Sequence, residues 1–384
     1  MPTKSPTVEI KVDVLKWLID SSGWSNEEIS KRLNLSTENI QKIVIGEKRP
    51  TFRQLQELSI IFKRPIAAFL LSEPKTEKPK PKDYRMLPDK INKFDKKTIY
   101  VLRKSRRLQE LTKELSININ YETKTKSEKI SINDNPEIIG EKFRDIFNLT
   151  EEKQRKFKTP YDLFHYIRDI LEDRNIYVFQ FSMPVEDARG FVFVDDTPNI
   201  IVVSTKDSIE ARLFSLMHEF AHILLGESAI DLPDIINTTE NDIENWCNKF
   251  SASFLLPKTI AKSLFEKNKA NLTQKEILNS LSRKYKVSKA MLLVSMKKLN
   301  FITHEDYERV LNRFKPELNK EKEKGTKSGG GVSPERKILS EVGNKFISLV
   351  TNNYDKEFIT YTDALNYLSI KSKNFDKVLA QAKK

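Results

Sequence analysis

Apolar positions at helical spacing dominate the first seventy residues. Val14, Leu15, Leu18 and Ile19 form one stripe, closed by Gly23. Ser25 and Glu28 make an S-x-x-E capping box for a second helix, which buries Ile29 and Leu33. Ser36 can cap a third, with Ile40, Ile43 and Val44 inside and Gly46 placed for a left-handed C-cap. Thr51 caps a fourth, burying Leu55, Leu58 and Phe62, and Pro65 opens a fifth, "IAAFLL".

The pattern then changes. "PKTEKPKPKDYR" alternates proline with lysine, which suits a linker and neither a helix nor a central strand. A helix is expected over Lys96 to Leu115, a loop over 118–135, and helices near Pro136 to Phe147 and Pro160 to Asp173. Three continuous apolar runs, "IYVFQF", "GFVFV" and "NIIVVS", read as strands, with a turn at Asp195-Asp196-Thr197-Pro198. Helices are expected from about Ser208 to Leu225, from about Asn241 to Leu256, and over Lys258 to Phe314. "NKEKEKGTKSGGGVSPE" reads as a second linker. Beyond it, Ile338, Val342, Phe346 and Leu349 share one helical face.

Composition narrows the function. In 384 residues the formal net charge is +13, which favours an acidic partner such as nucleic acid. From Lys75 to Glu114 there are 14 basic and 6 acidic residues, so much of that excess lies beside the first helical segment. A solvated helix face is the plainer reading of those charges. Cys247 is the single cysteine, so no disulfide can form within the chain. The N-terminal residues lack the apolar core of a signal peptide, and no apolar run approaches the roughly 20 residues that span a bilayer. The expectation is a cytoplasmic protein with no membrane contact.

The chemistry concentrates in "SLMHEFAHILLG". His218 and His222 stand four apart on a predicted helix, a spacing that puts both imidazoles on one face, about 6 Å apart. Both can reach one Zn²⁺, and Glu219 can take a proton from water acidified by the metal. The chain has only four histidines, the others being His165 and His304, so chance gives H-E-x-x-H well under about 1% of the time. Zinc needs a third protein ligand. The downstream carboxylates are Glu227, Asp231, Asp234, Glu240, Asp242 and Glu244, of which Glu244 lies on a predicted helix with Asn248 and Ser251 on its face. Cys247 reads as a packed core thiol. His165 is a candidate for stabilising an oxyanion only because histidines are scarce, and a surface role is the plainer reading.

Two family resemblances follow from these residues. "WSNEEISKRLNLSTENIQKIVIGEKRPTFRQLQELSIIF" resembles the phage-repressor-type (XRE) helix-turn-helix, with Gly46, Arg49 and Pro50 on its G-x-x-x-P signature. The face exposed by the third helix offers Thr37, Glu38, Gln41 and Lys42 to a major groove, and Gln can bond adenine in a bidentate way. Lys48, Arg49 and Asn26 suit the phosphate backbone. "EARLFSLMHEFAHILLG" followed by "IENWCNKFSASFLLP" resembles the ImmA/IrrE zinc metallopeptidases. That resemblance implies His218, His222 and Glu244 as metal ligands and Glu219 as the catalytic residue. Cys247 stands where the family usually has Ala, and Ser204 where it usually has Asn.

Together these readings give a mainly α chain with a small sheet. An all-α helix-turn-helix domain is expected over 1–74, a basic linker and helix over 75–117, and an α+β gluzincin-like metallopeptidase domain over 118–315. A flexible linker (316–334) and a small helical C-terminal region (335–384) complete the division. The resemblances imply a DNA-binding regulator that cleaves a repressor-type protein using Zn²⁺, with Mn²⁺ as a second metal, in settings such as stress response or toxin–antitoxin control. The alternative is a transcriptional regulator or antitoxin whose zinc domain binds or senses a partner with little proteolysis. The expected partners are double-stranded DNA and a repressor- or toxin-type protein, with homodimerisation left open because phage-type repressors often bind paired half-sites.

Overall fold

The computed structural model describes residues 6–76, 94–126, 128–226, 230–231, 242–324 and 333–382. The linker expected between Pro74 and Arg85 lies largely outside these residues. The chain divides into two compact units. One holds the described residues up to Lys104, the other those from Ser105 onward.

In the first unit the predicted caps set the helix starts. They begin α2 (Asn26–Leu33), α3 (Thr37–Val44) and α4 (Phe52–Phe62), while α1 (Val12–Asp20) starts without a side-chain cap. Ser25 and Glu28 close a reciprocal capping box on α2, Thr51 and Gln54 close another on α4, and Ser36 accepts from the Asn39 amide to cap α3. Gly46 follows α3 with φ +86°. The fifth helix is a 3₁₀ segment, Ile66–Leu70, short enough for the tighter winding to persist. Val14, Leu18, Ile29, Ile40, Leu55, Phe62 and Phe69 fill the core. The first turns of α5 (Lys96–Asn118) also belong here, and the Arg103 guanidinium donates to the Phe62 carbonyl at 2.8 Å.

The second unit is built on a four-stranded sheet in the order β1 (Ile176–Phe181), β3 (Asn199–Ser204), β2 (Gly190–Phe193), β4 (Ile230–Asp231). β1 runs parallel to β3, while β2 is antiparallel to both β3 and β4. The first three strands are the predicted apolar runs, and they are continuous in sequence because both faces are buried. One face carries Ile176, Val178, Val192, Ile201 and Val203 into the large core shared with the helices α6 (Pro136–Ile146), α8 (Pro160–Asp173), α9 (Ile209–Leu225) and α10 (Asp242–Leu255). Two elements escape the pattern. β4 has two residues, too few for a period, and α7 (Glu151–Lys156) is polar throughout, held by the Thr150 cap and buried Gln154. Helices α11 (Lys258–Lys267), α12 (Lys275–Tyr285), α13 (Lys289–Lys298) and α14 (His304–Lys324) complete this part. α14 runs through "NKEKEK", so the start of the expected second linker is helical, as Lys and Glu propensity allows.

Of the C-terminal helices α15 (Pro334–Asp355), α16 (Tyr361–Leu368) and α17 (Phe375–Ala382), the first is seated on the sheet and the other two pack on that helix. α15 packs against β1, with Phe346 edge-on to Phe179 at 5.8 Å, and it kinks at Gly343. At the kink the α15 backbone meets a buried ion pair formed within α8. Arg168 Nε lies 2.9 Å from Glu172 Oε1, and its Nη1 donates to the Ser340 carbonyl at 2.8 Å. Glu172 Oε2 accepts from the Lys345 amide at 3.2 Å, which caps the second half of α15. Removing one member of a buried pair strands the other charge. Arg168→Met is therefore expected to lower stability by about 3–5 kcal/mol in urea unfolding, and a loss under about 1 kcal/mol would contradict this role.

Candidate metal centre

The core makes α9 a buried helix. Leu213, Leu216, Met217, Phe220, Ala221 and Leu224 are all sealed from solvent, and so are His218, Glu219 and His222 between them. Phe143 of α6 locks α10 against α9, edge-on to Phe220 at 5.3 Å and to Phe250 at 6.0 Å. Trp246 stacks on Phe250 at 5.6 Å, and its indole donates to the Asp134 carbonyl at 2.8 Å. This packing sets the first turn of α10, and with it Glu244, against the two histidines.

The three side chains converge. His218 Nε2 lies 3.1 Å from Glu244 Oε2, His222 Nε2 lies 3.3 Å from Glu244 Oε1, and the two Nε2 atoms are 3.2 Å apart. Burial alone would raise the Glu244 carboxyl, but the adjoining imidazoles outweigh it and hold the group far below the ordinary carboxylate range. The donor set is therefore two imidazoles and an ionised carboxylate, all buried. A tetrahedral ion with ligands at about 2.0–2.1 Å needs donors about 3.3 Å apart. The observed spacings meet that requirement, so these residues fit a divalent metal.

The other candidates lie elsewhere. Among the described residues the metal-competent group is His218, His222 and Glu244, without Asp242 or Cys247. Glu227, Asp234 and Glu240 lie outside the described residues, and of Asp231 only the backbone, in β4, is described. Cys247 is fully buried in the core cluster. His165 is exposed on α8, and burial of part of its ring and the nearby Arg168 push its imidazole down. Ser204, the last residue of β3, donates to the Met183 carbonyl at 2.7 Å and accepts from the Lys206 amide at 3.2 Å, tying the strand to the loops at its end. Gly190, at the head of β2, is a neighbour of Glu219 that the sequence motifs do not single out.

The expected DNA face is exposed at Thr37, Glu38 and Gln41, with Lys42 and Asn26 half-buried. Its charges are already partnered. Lys42 pairs with Glu38 at 2.6 Å, Arg49 with Glu9 at 2.8 Å, and Lys48 donates to Asn39 at 2.8 Å. Such exposed pairs are weak because solvent screens them, so phosphates can compete for these cations. The basic helix α5 is more committed. Arg106 pairs with Asp195 at 2.5 Å, Lys113 with Asp196 at 2.8 Å, and Arg107 lies 3.6 Å from Glu114.

Residues 171–297, from the end of α8 through most of α13, match the sequence profile of a peptidase family described as the IrrE N-terminal-like domain. Residues 15–69 match the profile described as helix-turn-helix. No curated protein matches the chain. The chain thus joins an XRE-type helix-turn-helix to an IrrE/ImmA-like domain. In the described residues no helix is long and apolar enough to cross a membrane.

Replacing His218 and Glu244 together by Ala should abolish tightly bound zinc, measured by elemental analysis, and unchanged metal content would place the site elsewhere. Metal must compete with protons for imidazole, whose ordinary pKa is about 6.5. The adjoining imidazoles hold the Glu244 carboxyl far below the ordinary carboxylate range, so acid competes for the metal site chiefly at nitrogen. Bound metal is expected to fall as pH drops below about 6, and retention at pH 4 would contradict the assignment.

Proposed function

We propose that this fusion is a DNA-binding regulator carrying a zinc-dependent endopeptidase that cleaves a regulatory, repressor-type protein. The supporting observation is the buried triangle of two imidazoles and a carboxylate, with Glu219 next to His218 on the helix that carries both histidines. His218, His222 and Glu244 hold the ion, zinc by donor type, with manganese as a second candidate. A divalent metal so held supplies Lewis-acid polarisation and acidifies water. Glu219 accepts a proton from the attacking water and passes it to the leaving amine. The buried α9 keeps that carboxylate from being solvated away from its task.

On the nucleic-acid side, α3 reads base edges through Gln41 and Thr37, while Lys48 and Arg49 hold phosphates. The Glu38–Lys42 pair opens on binding, freeing Lys42 for the backbone and turning Glu38 toward a cytosine amino group. Asn26 adds a phosphate contact at the start of α2. A chain that acts on DNA and on its regulators works in the cytoplasm.

Cleavage of candidate repressor-type proteins, with Zn²⁺ or Mn²⁺ present, tests the enzyme reading. Glu219→Gln should retain metal and lose roughly 100-fold or more in rate, as expected for removal of a general base. Equal rates in mutant and wild type would remove Glu219 from the mechanism. Absence of cleavage by wild type would favour a regulator whose metal domain binds or senses a partner. For DNA, Gln41→Ala should blunt sequence preference, whereas Lys48→Ala with Arg49→Ala should weaken all sequences alike and lower the salt dependence. A uniform loss for Gln41→Ala would contradict its reading role.

A further inference from the structure

Gly190 occupies a place on β2 where the sheet pattern calls for a large apolar side chain. Alternation along β2 puts residue 190 on the same face as Val192. That face packs into the core beneath α9, and the register places Gly190 opposite Val203, another core residue. At this position there is no side chain, and the space is filled from the other side. A Cβ built on Gly190 would lie 2.8 Å from Glu219 Oε1 and 3.2 Å from Glu219 Cγ. It would also lie 3.0 Å from the Val202 carbonyl oxygen.

The backbone cannot easily yield to that Cβ. β2 is bonded to β3 on one edge and to β4 on the other, and Gly190 itself pairs with Val203 and Asp231. α9 is equally fixed by the apolar residues around it. Of the atoms such a Cβ would meet, those at the end of the flexible Glu219 side chain yield more readily than the Val202 backbone. We propose that Gly190 is a positioning residue: its missing side chain leaves the notch that holds the Glu219 carboxylate in its working position. The three atoms nearest a Cβ at 190 belong to Glu219 and Val202, and none is a donor of the metal triangle. The structural claim stands by itself, and its catalytic consequence rests on the endopeptidase reading above.

The expected consequence is selective. Proton transfer requires the base within hydrogen-bond reach, and a misplacement near 1 Å can cost about 100-fold in rate. Gly190→Ala in the full chain should therefore keep zinc stoichiometry and KM within about twofold of wild type while kcat falls roughly 100-fold. Crystal structures of wild type and Gly190→Ala supply a readout independent of activity. The Glu219 carboxylate should shift by about 0.5 Å or more while His218, His222 and Glu244 superpose. If Gly190→Ala does not fold, Gly190→Ala combined with Glu219→Ala should restore folding by emptying the notch. The proposal is overturned if the alanine is accommodated by movement of β2 with Glu219 unmoved. It is equally overturned if kcat stays within about threefold, or if the double variant is as unstable as the single one. If wild type cleaves nothing, the endopeptidase reading falls, and the pair of structures still decides whether Gly190 positions Glu219.

Discussion

Two imidazole nitrogens and a carboxylate, 3.1–3.3 Å from one another inside a sealed core, are the constraint around which the second unit is arranged. Lone pairs aimed at one point repel unless a cation lies between them, and burial removes the water that would otherwise relieve the repulsion. Holding such a group requires rigid surroundings. The sheet beneath α9 and the Phe143, Phe220 and Phe250 layer between α9 and α10 provide them. The aromatic layer fixes where Glu244 begins its helix, and the sheet fixes how far α9 can settle.

The same unit extends past the segment that matches the peptidase family. α15 lies along the edge strand β1, and its backbone is tied to Arg168 and Glu172 of α8. Gln180 of β1 donates to the Ser340 carbonyl at 2.9 Å and accepts from Arg212 of α9 at 3.2 Å. α15 is thus part of the scaffold that carries α9. The basic helix α5 changes meaning in a similar way. Several of its cations are spent on Asp195, Asp196 and its own glutamates, which leaves the helix-turn-helix as the better-supported seat of DNA binding.

Much of this is local and therefore readable in the chain. The H-E-x-x-H spacing, the S-x-x-E caps and the three apolar strands each depend on residues a few positions apart. Glu244 stood out among six downstream carboxylates because its neighbours had helical periodicity. What the sequence hid depends on distant pairings. Gly190 matters only because the β2–β3 register aims it at Glu219. Arg49 meets Glu9 because the N-terminal segment pairs with the start of α4, the Val8 amide donating to the Pro50 carbonyl at 2.8 Å. α7 and β4 escaped because one has no apolar stripe and the other is too short to have a period.

Zinc X-ray absorption spectroscopy of the purified full chain decides whether His218, His222 and Glu244 hold the metal. The expected spectrum is that of a four-coordinate ion with two imidazoles and oxygen ligands at about 2.0–2.2 Å, and no sulfur. A sulfur scatterer near about 2.3 Å, which only Cys247 or a methionine could supply, or a shell lacking imidazole, would contradict it.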